Sequence, residues 1–264
     1  MKISAKFIHI CAIVFLLSSH LAIADETSTA PAKGAKQPFI IGAGVAYKDK
    51  PYKKFDSDEQ YQPIPIILYE GERFFARGQT IGWKVTDSDV WELAIIGEYM
   101  GYGYDSSDSD FLDGMSDRDP SIGVGGHVIW KPEKLGLKFS AVTDVADESE
   151  GSQIAGEVSY THVTTNGVAL TPAASIVWQD KDFNDYYYGV RSREATPVRP
   201  AYNADDDINF RLGLNAAYQK PGSRWLYMGG VSYEFLGDEI DDSPITSDDG
   251  VFSAIIGIAY QFGN

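Results

Sequence analysis

The stretch FSAIIGIAYQF, residues 252–262, alternates between two kinds of side chain along its whole length. Successive side chains of a β-strand point to opposite faces, so every second residue of such a stretch shares a face. The first face carries Phe252, Ala254, Ile256, Ile258, Tyr260 and Phe262, and the second carries Ser253, Ile255, Gly257, Ala259 and Gln261. Large apolar residues dominate the first face and small or polar residues the second. The stretch therefore predicts a β-strand that separates an apolar environment from a polar one.

The same alternation recurs from Phe39 onward, and no segment shows a convincing 3.6-residue periodicity. Segments 39–47, 210–218 and 225–235 each place large apolar residues on one face and small residues or single charges on the other. Twelve such segments begin near residues 38, 62, 73, 89, 121, 136, 151, 167, 183, 206, 224 and 251. They predict an all-β fold over residues 38–264, an antiparallel transmembrane β-barrel of the outer membrane with about 12 strands.

A soluble β-sandwich also alternates, so the choice between the two folds depends on other features. A soluble sheet would bury its large apolar face and expose many Lys and Glu residues, whereas the second face here is small and polar, as in a barrel lumen. All five tryptophans lie within a few residues of a predicted turn, where an amphipathic ring would sit at a bilayer interface. They are Trp83, Trp91, Trp130, Trp178 and Trp225. These features favour the membrane barrel.

The last segment resembles the C-terminal signal that directs outer-membrane barrels to assembly. Gly257 is followed by alternating apolar or aromatic residues that end in Tyr260 and Phe262. The segment departs from the signal in two ways, because residues 263–264 follow the last aromatic residue and Ile255 takes a place that is usually polar. We expect the barrel assembly machinery to insert the chain, and we expect outer-membrane lipid and lipopolysaccharide to surround it.

Residues 1–24 have the layout of a cleavable signal peptide. A short basic region precedes an apolar stretch at residues 10–17, and AIA at residues 22–24 gives a small-x-small cleavage site. The apolar stretch is too short to cross a bilayer as a helix, which takes about 20 residues. We expect the mature chain to begin at Asp25 with a flexible leader at residues 25–37, which is rich in Thr, Ala and Lys.

Charge and cysteine content exclude several classes of partner and site. Without the signal peptide, 20 basic residues face 38 acidic ones, a net charge of −18. So acidic a surface disfavours nucleic acid as a partner and is typical of solvated loops. Cys11, the only cysteine, would leave with the signal peptide. The mature chain would then have no thiol, no disulfide and no cysteine-based metal site.

No stretch has the residue pattern of an enzyme active site. The mature chain has two histidines, and neither His127 nor His162 lies in a motif like those of outer-membrane phospholipases or lipid A deacylases. A Ser–His hydrolase needs a nucleophile within reach of an oriented base. The acidic run at residues 105–110 lacks the glycine and the terminal glutamate of a helix–loop–helix calcium site. We expect no enzyme, no cofactor and no dedicated metal site.

Charged side chains within the predicted strands must face the lumen, since a charge that faces lipid near the midplane costs roughly 2–4 kcal/mol. By this reasoning seven residues point inward: Glu98, His127, Lys138, Asp144, Glu157, Arg211 and Glu234. Two interpretations remain open. The charges form a salt-bridged network that fills a narrow barrel, or they line a small pore with acidic selectivity.

One connection does not fit this strand count. Residues 105–120, DSSDSDFLDGMSDRDP, form a long connection that the count places on the periplasmic side, where turns are normally short. In one interpretation Phe111, Leu112 and Met115 form a lid over the periplasmic mouth, and Arg118 pairs with a lumenal carboxylate. In a second, the same apolar cluster docks a periplasmic partner. In a third, a strand upstream has been miscounted.

Several pieces of the chain, in this order, resemble the MipA/OmpV family of outer-membrane proteins over nearly the full mature length. The pieces are YEGERFF (69–75), LDGMSDR (112–118), YYGV (187–190), EA (194–195), AY (201–202), LGDEIDDSPI (236–245) and YQF (260–262). Several of them lie in predicted connections, so generic barrel alternation does not explain them.

The resemblance implies a barrel fold without catalytic residues. It also implies a role as a scaffold that links a murein lytic transglycosylase (MltA) to a penicillin-binding protein in cell-envelope maintenance. Other members of the family resemble adhesins or envelope proteins tied to osmotic or antibiotic stress. A narrow diffusion pore and a surface adhesin that uses the long loops therefore remain alternatives to the scaffold.

Replacement of the last aromatic residue tests the predicted assembly signal. We expect Phe262→Ala to impair assembly more than deletion of residues 263–264, because the aromatic ring and not the chain end carries the signal. Heat-modifiable migration on gels measures the folded fraction of each variant. Equal losses in the two variants would contradict the prediction.

Overall fold

Residues 39–55 and 60–263 are described by the computed structural model, and they form a closed antiparallel β-barrel. The strands are β1 (Phe39–Lys48), β2 (Tyr61–Glu70), β3 (Phe74–Arg77), β4 (Thr80–Asp87), β5 (Trp91–Met100), β6 (Ser121–Trp130), β7 (Leu135–Asp144), β8 (Ser152–Tyr160), β9 (His162–Val163), β10 (Val168–Gln179), β11 (Asp207–Gln219), β12 (Trp225–Phe235) and β13 (Gly250–Phe262). The helical elements include a 3₁₀ turn (Ser106–Asp108), α1 (Lys181–Tyr188) and α2 (Asp238–Asp241). Within the described ranges, no helix is long and apolar enough to span a bilayer. The predicted signal peptide at 1–24 and leader at 25–37 lie outside the described residues.

The first and last strands close the barrel. β1 pairs with β13 from Phe39 opposite Phe262 to Lys48 opposite Ser253. All neighbouring strands are antiparallel, and β10 pairs with both β8 and β11. The two-residue strand β9 continues β8 along β10 after Thr161, so β8 and β9 count as one strand of the wall. The barrel therefore has the twelve strands that the sequence predicts.

The side chains that alternate along the sequence point alternately outward and inward in the barrel wall. Large apolar residues of the predicted outward face remain exposed, and Ile256 reaches 71% exposure. Their inward neighbours on the same strands are mostly buried or half-buried. Isolated exposed apolar residues are normal on a soluble protein, but a band that surrounds the whole wall is stable only against lipid hydrocarbon.

The strand count is correct because two errors cancel. The segment predicted to begin near residue 73 contains two strands, β3 and β4, which form a hairpin around Gly78 and Gln79. Gly78 has a positive φ of 62°, which glycine adopts without steric cost. A short hairpin inside one alternating run leaves the alternation intact, so the periodicity did not reveal the turn.

The strand predicted near residue 183 is wrong, because residues 181–188 form α1. Asp180 begins this helix, and its carboxylate accepts a hydrogen bond from the Phe183 N–H at 3.0 Å. Phe183 and Tyr187 are four residues apart and share the buried face of the helix. Aromatic residues favour a β-strand, but in this segment they form the buried face of a helix.

The additional crossing by β3 and β4 changes the side on which the later connections lie. The connecting residues 49–55, 101–120, 145–151, 180–206 and 236–249 all lie at one end of the barrel. Short turns occupy the opposite end, together with Phe39 and Phe262. Long connections face outward and short turns face the periplasm in outer-membrane barrels, so we call the two ends outer and periplasmic. The predicted periplasmic position of residues 105–120 is therefore wrong.

One section of the wall has fewer pairings than the rest. β2 pairs with β3 only through residues 68–70, and residues 61–67 pair with β1 alone among the described strands. Ile67 accepts a hydrogen bond from the Gly78 N–H on the β3 side. Pro63 and Pro65 are an even number of residues away from Ile67, so their backbone groups face the same side. Proline has no N–H, and it therefore suits a strand edge that no neighbour pairs. We call this section the β2 notch.

Cysteine labelling tests the revised sidedness. We expect Ser107→Cys to react with a membrane-impermeant maleimide on intact cells, because residue 107 is exposed at the outer end. Thr165→Cys, an exposed position in a periplasmic turn, is the matched control and should react only after the outer membrane is permeabilised. Labelling of both variants, or of Thr165→Cys alone, on intact cells would contradict this topology.

Candidate functional site: the lumen and its outer plug

The outer end of the lumen is closed by its own connections. We define the outer plug as residues 49–55, 101–120, 145–151, 180–206 and 236–249. Its apolar core includes Tyr52, Tyr104, Leu112, Met115, Phe183, Tyr187, Tyr188, Val190, Ile240 and Ile245. The same cluster contains the lumen-facing Ile96 and Met100 of β5 and Val142 of β7, so the plug packs directly onto the inner wall. Burial of this much aromatic surface holds the connections in the mouth of the barrel.

A buried ion pair joins two of the plug connections. The Arg118 guanidinium donates to the Glu194 carboxylate at 3.0 Å, and both side chains are almost completely buried. Arg118 also donates to the backbone carbonyls of Tyr186 at 2.5 Å and Ser116 at 2.8 Å. Glu194 accepts further hydrogen bonds from backbone N–H groups, one of them that of Ser116 at 3.1 Å. Both charges are thus paired and hydrogen-bonded, as burial requires.

A second buried arginine repeats this arrangement. Arg199 donates to the backbone carbonyls of Phe111 and Asp113 in one connection and to the carbonyl of Glu194 in its own. Arginine can serve several acceptors at once because its five N–H donors have a fixed geometry. The two arginines therefore tie residues 101–120 to residues 180–206.

The residues of the predicted lid belong to this plug. Leu112, Met115 and Arg118 are buried and Phe111 is half-buried, but they close the outer mouth and not the periplasmic one. Arg118 pairs with Glu194 of another connection and not with a lumenal carboxylate. The docking interpretation needed an exposed cluster on the periplasmic side, so this placement contradicts it.

Burial sets the protonation of the plug. Burial raises the pKa of Tyr104 to about 12 and that of Tyr52 well above its usual value, so both stay neutral. Burial also opposes the charge on Glu194, but hydrogen bonds from Arg118 and from backbone N–H groups outweigh it and lower the pKa of Glu194 to about 2. Glu194 in the folded plug therefore stays charged, and paired with Arg118, down to a pH near 2.

Below the plug, four charges stand in register across the wall. Lys138 lies opposite Glu157, and Arg211 lies opposite Glu234, with Ser175 between Glu157 and Arg211. Arg211 donates to Glu234 at 2.7 Å. We call this line the charge row, and the inward direction that the sequence predicts for its four charged members is the one observed.

A cavity of about 70 Å³ lies beside the charge row. It is lined by four of the seven predicted lumenal charges: Glu98, Lys138, Glu157 and Arg211. Residues of the plug base and of β5, among them Tyr102 and Met100, line its other sides. Two acidic and two basic side chains thus converge on one small space.

The other predicted lumenal residues lie elsewhere. The Asp144 carboxylate accepts backbone N–H groups of the 145–151 connection, with Ala146 at 2.7 Å and Ser149 at 2.7 Å, so it organises the outer rim. His127 lies near the periplasmic end, where its Nε2 contacts the Glu92 carboxylate at 2.8 Å. Its ring stacks on Phe75 with the centroids 5.7 Å apart. These contacts are those of a structural histidine.

Glu92 is the centre of a charged cluster that the sequence reasoning missed. We call the cluster the inner network, and its members are Glu70, Arg77, Lys84, Asp87, Glu92, His127 and Lys131. Arg77 donates twice to the fully buried Glu92, at 2.8 Å each. Glu92 and Glu98 are an even number of residues apart on β5, so strand alternation predicts an inward direction for Glu92 as well. Arg77 could not be placed, because β3 and β4 had been treated as one strand.

The predicted interface tryptophans and two of the predicted assembly residues, Tyr260 and Phe262, are on the outward face of the wall. Trp91, Trp130 and Trp225 are at the periplasmic ends of their strands, Trp178 is at the outer end of β10, and Trp83 is midway along β4. The rings of Tyr260 and Phe262 pack edge to face, with their centroids 4.9 Å apart. Gly257 faces the lumen, where a Cβ would come within 2.4 Å of the Ile66 side chain.

Among the residues that the structure describes, no group of three or more His, Cys, Asp or Glu side chains is arranged to hold a metal ion.

Comparisons with known proteins agree with this architecture. Residues 41–262 match the family described as MltA-interacting protein MipA. The chain is 33% identical to the putative outer membrane protein YiaT of Escherichia coli K12 over 84% of this chain and 90% of that protein. It is 30% identical to the MltA-interacting protein of the same organism over 94% and 98%, and 29% identical to the outer membrane protein OmpV of Vibrio cholerae over 78% and 80%. None of these names refers to an enzymatic activity.

The Arg118–Glu194 pair makes the plug sensitive to acid. A carboxylate whose pKa is lowered on folding stabilises the fold above its ordinary pKa of 4.5, and the contribution is lost as the pH falls towards 2. We expect Glu194→Gln to lower plug stability by about 3 kcal/mol at neutral pH, with the difference from the parent shrinking between pH 4.5 and 2. Thermal melting followed by near-ultraviolet circular dichroism reports the packing of the plug tyrosines. Glu150→Gln, at an exposed position of the plug, is the control, and a pH-independent difference for Glu194→Gln would contradict the assignment.

Proposed function

Because the chain belongs to the MltA-interacting protein MipA family, we propose that it is a non-conducting outer-membrane scaffold that holds a murein lytic transglycosylase at its periplasmic end. The barrel and its outer-membrane location are common to the chain and its relatives. The name of the E. coli relative supplies the class of partner. A penicillin-binding protein is the further partner that the family resemblance implies.

The observation that carries the proposal is the outer plug. A diffusion pore needs a continuous aqueous path, whereas here an aromatic core and two buried arginines fill the outer mouth. Opening the path would unpair Arg118 and Glu194 inside a low-dielectric core, and breaking a buried pair costs about 3–5 kcal/mol. A barrel whose outer mouth is filled in this way supports a role that depends on a fixed position in the membrane and not on transport.

The two ends of the barrel differ in the surface that they offer. The outer plug contains 22 acidic and 8 basic residues, whereas the five periplasmic turns contain 3 acidic and 5 basic residues. Peptidoglycan lies on the periplasmic side of the outer membrane, so an enzyme that cleaves it would meet the short turns. The turns present no net negative charge that would repel an acidic partner there.

A binding experiment on the purified barrel tests the scaffold role. We expect the barrel in lipid nanodiscs to retain a purified lytic transglycosylase of the MltA class. A polyethylene-glycol maleimide attached at Thr165→Cys should block this retention, because it covers the periplasmic turns. The same adduct at Ser107→Cys is the control and should leave retention unchanged. Retention that neither adduct affects, or that only the outer adduct blocks, would refute the proposed contact face, and no retention by the unmodified barrel would refute the scaffold.

Planar-bilayer recording separates the scaffold from the alternative of a narrow pore. We expect no steady conductance from the intact barrel, and we expect Arg118→Ala to introduce current events because it leaves Glu194 unpaired in the plug. A reproducible conductance from the parent protein would replace the scaffold proposal with the pore.

A further inference from the structure

The lumen is filled unevenly around its circumference. On the side formed by β12, β13, β1 and β2, apolar side chains such as Ile40, Ile66 and Leu226 pack against one another and are buried. On the side of β2 to β6, the inner network occupies the space with paired charges. Apolar packing and ion pairs thus occupy these two sides.

The remaining side, from β7 to β11, is different. Below the charge row its lumen-facing residues are small, and they include Ser159, Thr171, Ala173, Gly213 and Asn215. Each of these residues is half-buried, so solvent still reaches it. The outer plug closes this side at the top, and the charge row lies between the plug and the small residues. We call this part of the lumen the channel, and the outer plug closes its outer end.

The end of the channel carries a donor that has no partner. Gln153 on β8 lines the cavity and is 9% exposed. Its Nε2 has no hydrogen-bond partner within the described ranges 39–55 and 60–263. A buried amide nitrogen without an acceptor is unfavourable, so the side chain would gain from an acceptor placed in the cavity.

The charges around this donor define the chemistry that would satisfy it. Lys138 and Arg211 present cationic donors to the cavity, and Glu98 and Glu157 present carboxylates. An anion alone would be repelled by the two carboxylates, and a cation alone by the two basic groups. A small molecule with a carboxylate and an ammonium group offers a partner both to the two basic groups and to the two carboxylates.

We propose that the channel binds a small zwitterion, an amino acid or a short peptide with free termini, which enters from the periplasmic end. Its carboxylate lies against Gln153, Lys138 and Arg211, and its ammonium group lies against Glu98 and Glu157. The cavity of about 70 Å³ holds roughly five water molecules, the size of a small amino acid, and the small-residue channel below it accommodates a longer peptide. The proposal does not depend on the scaffold role, because it concerns the isolated barrel.

Three probes that differ in their charged groups test the charge requirement. Alanyl-alanine carries both charges, N-acetylalanine only the carboxylate, and alanine amide only the ammonium group. We expect isothermal titration calorimetry on the purified barrel to detect alanyl-alanine at concentrations up to about 10 mM, with each singly charged probe at least about tenfold weaker. Equal binding of N-acetylalanine would mean a site for a protein C-terminus, and equal binding of alanine amide a site for an N-terminus. Either result, or the absence of alanyl-alanine binding, would overturn the zwitterion site.

Variants locate the binding within the lumen. We expect Gln153→Ala and Glu157→Gln each to weaken alanyl-alanine binding about tenfold or more, the loss of one charge-assisted or amide hydrogen bond. Lys134→Met and Glu72→Gln, at exposed positions in periplasmic turns, are the matched controls and should bind as the parent does. Heat-modifiable migration confirms that each variant is folded, and if either lumenal variant fails to fold, the three probes still decide the question. Unchanged binding in folded Gln153→Ala would indicate that ordered water alone satisfies Gln153, and it would overturn the assigned site.

Discussion

A chain that crosses a bilayer as strands must pair its backbone N–H and C=O groups within itself, because hydrocarbon supplies no partners. The β1–β13 ladder meets this requirement by joining the two ends of the sheet, from Phe39 opposite Phe262 to Lys48 opposite Ser253. Closure then divides every strand into an outward and an inward face. The β2 notch is the section that departs from full pairing, and Pro63 and Pro65 remove two donors from the edge that lies there.

The second level of organisation is the pairing of charges inside the wall. Strand register brings Lys138 beside Glu157 and Arg211 beside Glu234, so neighbouring strands neutralise each other's charges. The inner network does the same near the periplasmic end around Glu92. The outer plug applies the same rule to connections that no sheet holds, since the buried Arg118–Glu194 pair is also hydrogen-bonded to the backbone. What remains open between these regions is the channel along β7 to β11.

The sequence predicts this barrel well where a local period carries the information. Alternation identified most strands, their outward faces and the inward direction of the predicted lumenal charges. It failed at β3 and β4, because a two-residue turn does not interrupt alternation, and at α1, because aromatic residues suit both a strand and a packed helix. The sidedness of residues 105–120 followed from the first of these errors.

The contacts of the plug cannot be predicted from a local periodicity, because they join residues that are far apart in the sequence. Arg118 and Glu194, for example, are 76 residues apart. The resemblance to a family did point there in retrospect. LDGMSDR, YYGV, EA and LGDEIDDSPI lie in three different connections of the chain, and all contribute residues to the outer plug. The motifs that looked unrelated to a barrel are the ones that close it.

The β2 notch also bears on the stiffness of the barrel against twisting. A tube resists twisting because shear passes continuously around its circumference, and a tube with a slit loses much of that stiffness. Among the described residues, no strand pairs with β2 beyond the short β3–β4 hairpin on that side, so the notch is such a slit. The plug spans it, since the Lys50 ammonium group, just beyond β1, donates to the Gly103 carbonyl, just beyond β5, at 2.8 Å. The connections that stop the mouth of the barrel therefore also act as a strut that braces its weakest wall.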